Sequence, residues 1–175
     1  MTNQDQMAER KKHYLQQGTR ALQRGDLNEA LALLEEAYDI DAQDMDVRLN
    51  LSGAYILAKK FKKAIPLLEA LRDEYPQNQM VWTNLGAAYL GNPVLAQDQD
   101  QQKAISAFEQ ALNIDPNAPN VAYNIGLIYR QRNEYAPALN WFERAAATNP
   151  KDRDARYYIE VLTKILAEGT PPAEQ

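Results

Sequence analysis

Trp82-x-x-Leu85-Gly86-x-x-Tyr89, then Ala104-x-x-x-Phe108, then Pro116, is the stretch whose reading decides the fold. Spacings of three and four put Trp82, Leu85, Gly86 and Tyr89 on one face of a helix, with a residue lacking a side chain where a second helix must come close. Ala104, Phe108, Ala111 and Leu112 form a second apolar stripe. Asp115-Pro116 ends it, because proline biases the residue before it away from helical geometry. One such hairpin leaves apolar surface uncovered, so it needs neighbours of the same kind.

The neighbours recur through the chain. Gly18, Ser52, Gly86 and Gly126 are separated by 34, 34 and 40 residues, and Ala30, Ala64, Ala104 and Ala138 by 34, 40 and 34. Pro76, Pro116 and Pro150 follow at 40 and 34. The period is therefore 34 with one insertion of six. Carried by these residue types, it resembles the tetratricopeptide repeat family over about Lys11 to Asp152. The resemblance implies an all-α, right-handed superhelical solenoid of four helix-turn-helix repeats, at about 11–44, 45–78, 79–118 and 119–152. A capping helix at 153–168 would close a single domain spanning 11–168.

Composition agrees with one soluble, cored domain: 175 residues, 45% hydrophobic, with Gly and Pro sparse. No run approaches the roughly 18 apolar residues of a membrane span, and the first residues lack a charged-then-apolar leader, so a cytoplasmic protein is expected. A net charge of −5 argues against nucleic acid, which needs a basic surface. There is no Cys, one His and no Gly-rich phosphate loop. Catalytic residues, metal ligands and cofactors are accordingly expected to be none. His13 has no second ligand near it in sequence and reads as a solvated helix residue.

Along the chain, 1–10 is polar and expected to fray as a flexible N-terminus. In Arg24-Gly25-Asp26, glycine suits a left-handed helix end and aspartate suits the next N-cap. Lys59, Lys60, Lys62 and Lys63 make a basic turn, either a contact for phosphates or an acidic protein, or a solvated inter-helix surface. Pro66 falls inside a second helix, and Pro137 in a first turn where no donor is lost. The inserted residues lie within 92–102, where Gly91-Asn-Pro93 breaks the helix and the Gln/Asp run is too polar to pack, giving a surface loop. Tyr157, Tyr158, Ile159, Val161, Leu162, Ile165 and Leu166 make the terminal helix apolar over much of its circumference. Gly169-Thr-Pro-Pro stops it, leaving 169–175 as a disordered tail.

In proteins of the family that this chain resembles, the face of each first helix opposite the Trp82, Leu85, Tyr89 stripe lines a concave groove that takes extended peptides. One row on that face is Gln16, Asn50, Asn84, Asn124. Each amide both donates and accepts, so the three asparagines suit a sequence-tolerant grip on a peptide backbone, or else a bond to a neighbouring turn that holds repeat geometry. Leu49, Ile56, Leu90, Tyr123, Leu127 and Arg130 flank them as further candidate peptide-binding residues. Chaperone-binding members use a clamp of Lys, Arg and Asn, but here the groove offers only Lys12 and Arg130, far apart. Two function classes follow: an adaptor or scaffold binding a protein or peptide, and a structural module that forms a homo-oligomer through its repeat ends. Neither calls for nucleic acid or membrane.

Overall fold

The computed structural model describes residues 2–92 and 95–168, and within them the chain forms nine helices and no strand. Four antiparallel hairpins are made by α1 (Asn3–Arg24) with α2 (Leu27–Ile40), α3 (Met45–Leu57) with α4 (Phe61–Glu74), α5 (Gln79–Leu90) with α6 (Asp98–Ile114), and α7 (Val121–Gln131) with α8 (Tyr135–Thr148). α9 (Arg153–Glu168) packs on α8. Each element touches chiefly its chain neighbours, and α1 also lies beside α3 and α3 beside α5, which is the contact pattern of a solenoid.

Short polar residues set the helix starts. Asp26, Asp44 and Asn78 each accept the N–H three residues on, from Glu29, Val47 and Val81, satisfying a donor that the first turn leaves open. Gly25 ends α1 at φ 80°, in the left-handed conformation its sequence place suggested. Pro137 is the third residue of α8, and Pro66 lies inside α4.

Each hairpin interior pairs a small residue on the first helix with a large one on the second. The small places are Gly18, Ser52, Gly86 and Gly126; the large ones, once in each second helix, are Leu34, Leu68, Phe108 and Phe142, all four fully buried. A Cβ on Gly86 would lie 2.6 Å from the Phe108 ring, and one on Gly18 2.7 Å from Leu34 Cγ. The small residue is thus a condition for the helices to close.

Two expectations are corrected. Where a segment without structure was expected, α1 is already helical from Asn3: Thr2 accepts from the Asp5 N–H while the Asp5 carboxylate accepts from the Thr2 N–H, a reciprocal cap that the polar composition concealed. The insertion is only partly a loop. Relative to its neighbours α5 ends one residue early, the connection gains four residues and α6 gains three, so half of the six extend a helix. Gln101, which follows the added turn at the place of Phe61 and Tyr135, is buried and accepts from Arg132 Nε at 2.7 Å, while Arg132 Nη2 reaches the carbonyl of Asp98, in the added turn, at 3.4 Å. A polar side chain packs when its hydrogen bond comes with it. Pro93, Val94 and the tail 169–175 lie outside the described residues.

Candidate peptide groove

Because α1, α3 and α5 stand side by side, residues at equivalent places on them meet at the seams between the helices. Asn50 Nδ2 donates to the Asp46 carbonyl one turn back at 2.8 Å, and its Oδ1 lies 3.3 Å from the Thr19 hydroxyl on α1. That hydroxyl makes its shorter bond, 2.8 Å, to the Leu15 carbonyl. One seam on, a Cβ placed on Gly53 would lie 3.9 Å from Asn84 Nδ2, and Gly53 occupies the place of Thr19. Asn50 and Asn84 therefore each face the equivalent place, Thr19 or Gly53, of the first helix before. Asn50, Asn84 and Asn124 are all half-buried. Leu15, Gln16, Thr19, Arg20, Asp46 and Asn50 line an open depression of about 430 Å³ at the first seam.

The other nominated residues divide into two groups. Leu49 and Leu90 are 8% exposed and belong to the hydrophobic cores, so they have little surface to offer a partner, and Ile56 is half-buried against the first core. Tyr123, Leu127 and Arg130 on α7 turn toward the last core and α9. Tyr123 meets Phe142 edge-on at 5.5 Å, Phe142 stacks on Tyr158 at 4.7 Å, and the Arg130 guanidinium lies 4.8 Å over the Tyr158 ring. Burial, with Tyr158 and nearby acids adding to it, pushes the Tyr123 phenol up to about 12. The open part of the groove runs from α1 to α5, and the α7 part is engaged by α9.

Several partly buried polar pairs were not singled out from the sequence. The Tyr55 hydroxyl donates to Glu35 at 2.8 Å and the Tyr89 hydroxyl to Glu69 at 2.7 Å; both tyrosines and both glutamates are one period apart, which was the available signal. Arg48, 3% exposed, donates through Nη1 and Nη2 to the two carboxylate oxygens of Glu74 at 2.7 and 2.6 Å, and through Nη2 to the Gln43 carbonyl. Lys11 Nζ bridges Asp41 and Asp44 at 2.8 and 2.6 Å, tying α1 to the following turn. These contacts hold repeats together, and their place is away from the asparagine row.

α9 differs from the four first helices before it. At the place of Gly126 it has Glu160, and at the place of Tyr129 it has Thr163, so a second helix has neither the small residue nor the aromatic to pack on. Glu160 is exposed and pairs with Lys164 at 3.0 Å. Tyr157 and Leu166 are exposed at 61% and 47%. Among the described residues no set of three His, Cys, Asp or Glu side chains could hold a metal, and no helix is long and apolar enough to cross a membrane.

Comparison with known proteins follows from this geometry. The family model described as tetratricopeptide repeat matches residues 21–90 and 95–165. Superkiller protein 3 of Schizosaccharomyces pombe is 28% identical over 156 residues, covering 82% of this chain and 10% of that protein. The type IV pilus assembly protein PilF of Pseudomonas aeruginosa is 26% identical over 167 residues, covering 74% of this chain and 64% of that one. The chain thus spans a tenth of the first relative and less than two thirds of the other. Among solved structures, a MamA mutant is 26% identical at a TM-score of 0.69, covering 91% of this chain and 90% of its own. A thermophilic repeat protein of Thermus thermophilus is 21% identical at a TM-score of 0.75, covering 91% and 83%, and shows the shared fold.

Proposed function

Since the chain belongs to the tetratricopeptide repeat family, whose members mediate protein-protein interaction, we propose that it is a non-enzymatic, cytoplasmic adaptor whose groove between α1 and α7 holds an extended segment of a partner protein. Asn50, Asn84 and Asn124 grip the segment's backbone, and Ile56 supplies apolar contact. The observation that carries the reading is the seam arrangement: Asn50 and Asn84 each face a small residue of the helix before, and Asn50 lines the open depression. Asn50 gives one amide N–H to Asp46, and its second N–H remains to donate, since an amide carries two.

Affinity is modest on this reading, because each neutral hydrogen bond contributes about 0.5–1.5 kcal/mol net and ordering an extended segment opposes it. Calorimetry on a partner peptide captured from native lysate tests it. Replacing all three asparagines with Ala is expected to weaken binding by about 1.5–4 kcal/mol, with little dependence on salt. Equal affinity for parent and triple variant overturns the backbone grip. A second reading, self-association through the repeat ends, is favoured by the exposure of Tyr157 and Leu166 on α9. Light scattering over a range of concentrations distinguishes the two, because only self-association gives a mass that rises with concentration.

A further inference from the structure

The places equivalent to Trp82 run Tyr14, Arg48, Trp82, Ala122 and Arg156. Three of these residues act alike, each sending an N–H back to a carbonyl of the turn before its helix. Trp82 Nε1 donates to the Pro76 carbonyl at 2.8 Å, Arg48 Nη2 to the Gln43 carbonyl at 3.0 Å, and the Arg156 guanidinium to the Pro150 carbonyl. Carbonyls just past a helix end have no intrahelical partner, so a side chain supplies one. Ala122 has neither donor nor bulk. The equivalent carbonyl, that of Pro116, is reached instead by Arg144 Nη2 from α8 at 3.3 Å, beyond the usual N–H···O range, while that guanidinium also lies 5.3 Å over the Trp141 ring.

The backbone departs at the same spot. The connection from α6 to α7 runs 115–120, two residues longer than the connections 41–44, 75–78 and 149–152. Asn120 stands in the left-handed region at φ 62°, and α7 starts at Val121 where repetition of α5 would start it at Pro119. The missing side chain and the late start of α7 border a cavity of about 670 Å³ beside Leu112, Pro116, Ala118, Ala122, Ala145 and Asn149. Leu112, Ala118, Ala122 and Ala145, which form much of its apolar lining, are 3–7% exposed, and Pro116, whose carbonyl accepts from Arg144, is also among the lining residues.

We propose that this cavity is a pocket for a tryptophan side chain presented by a partner protein. The chain itself supplies the template: at the equivalent place one period earlier an indole packs between two cores and gives its Nε1–H to the carbonyl of Pro76. A partner's indole entering beside Ala122 packs between the third and fourth repeats and donates to the Pro116 carbonyl, displacing Arg144 from its long contact. A phenylalanine fills the volume but leaves that carbonyl to Arg144. None of the three asparagines lines the pocket, although the groove candidate Tyr123 does, and the proposal does not rest on the groove reading.

The test is a titration of the full chain, with alanine methyls labelled for magnetic resonance, using N-acetyl-tryptophanamide as the probe. Saturable shifts are expected at Ala118, Ala122 and Ala145, with a dissociation constant roughly in the millimolar range for so small a ligand. N-acetyl-phenylalaninamide and the N1-methylated indole probe, which lack the donor, are expected to bind at least about fivefold more weakly. Ala122→Trp is expected to raise the thermal midpoint and abolish the shifts, whereas the triple asparagine variant keeps them. Absence of saturable shifts, equal binding of the N-methylated probe, or unchanged shifts in folded Ala122→Trp would each overturn the pocket. If Ala122→Trp does not fold, the probe series on the parent chain decides alone.

Discussion

Gly53 and Gly86 sit on equivalent first helices, α3 and α5, yet they answer to different neighbours. Gly86 faces into its own hairpin, where a Cβ would come within 2.6 Å of two atoms of the fully buried Phe108 ring. Gly53 faces across the seam to the next first helix, where a Cβ would find Asn84 Nδ2 at 3.9 Å, an ordinary contact distance. Inside the α5–α6 hairpin the smallest residue is required by close packing, which cannot absorb another methyl without displacing the Phe108 ring. At the seam the same residue leaves room. Hairpin interiors hold the solenoid together, and the seams are left for something else.

The largest effect expected is at the interior. Gly86→Leu should destabilise by about 2–4 kcal/mol, read as a lowered urea midpoint, because Phe108 is walled in and cannot swing away. An unchanged midpoint would mean that α5 and α6 separate cheaply, and the contrast with Gly53 would collapse.

Acid probes the ion pairs that tie the helices together. The hydrogen bonds of Arg48 hold the Glu74 carboxyl below the ordinary carboxylate range, and those of Lys11 do the same for Asp41. A depressed folded pKa contributes stability that is present above the unfolded pKa and is lost as pH falls through the folded one, so these ties weaken below about pH 4. Glu74→Gln is expected to lower the urea midpoint near neutrality and to flatten its fall into acid. A parallel fall in parent and variant would show that the Arg48 pair adds nothing to holding α3 against α4.

The hairpin turn should matter less than the hairpin interior. Removing residues 94–97 restores the connection length of the neighbouring repeats and is expected to change stability by less than about 1 kcal/mol. Removing 94–100 also takes the first turn of α6 and the Asp98 carbonyl that Arg132 reaches, at a further cost of about 1 kcal/mol. Equal midpoints for the two deletions would show that the added helical turn packs on nothing.

The period made most of this legible. Small residues at 18, 52, 86 and 126 and large ones at 34, 68, 108 and 142 announce where helices close, because close packing is local and repeats with the chain. What escaped was whatever depends on one place departing from the rest. Gln101 reads as surface until Arg132 is brought beside it, and Thr2 with Asp5 reads as a tail until the two are seen to cap each other. Leu49 and Leu90 share a helix with groove residues but lie at the edge of its apolar stripe, and only the packing of neighbouring helices decides that they go inward. Ala122 was visible as an alanine in an aromatic place, yet the cavity also needed the late start of α7, which spacing alone does not show.

The smallest effect expected is the one that tests the seam most directly. Gly53 lies in the interior of α3, where alanine is favoured over glycine by about 0.8–1 kcal/mol, through a smaller loss of backbone freedom on folding and a better-shielded helix. With Asn84 Nδ2 3.9 Å from the new methyl, nothing in the seam opposes that gain, so Gly53→Ala should raise stability by about 0.4–1 kcal/mol. The same methyl narrows the approach to the Asn84 amide and is expected to weaken a backbone-gripped peptide without unfolding any repeat. Thermal melts and peptide calorimetry on this one variant therefore read the two consequences independently. A stabilised protein with unchanged peptide affinity would leave the packing contrast standing and move the binding away from Asn84, whereas a destabilised one would show the seam to be as closed as the ring of Phe108 makes the place of Gly86.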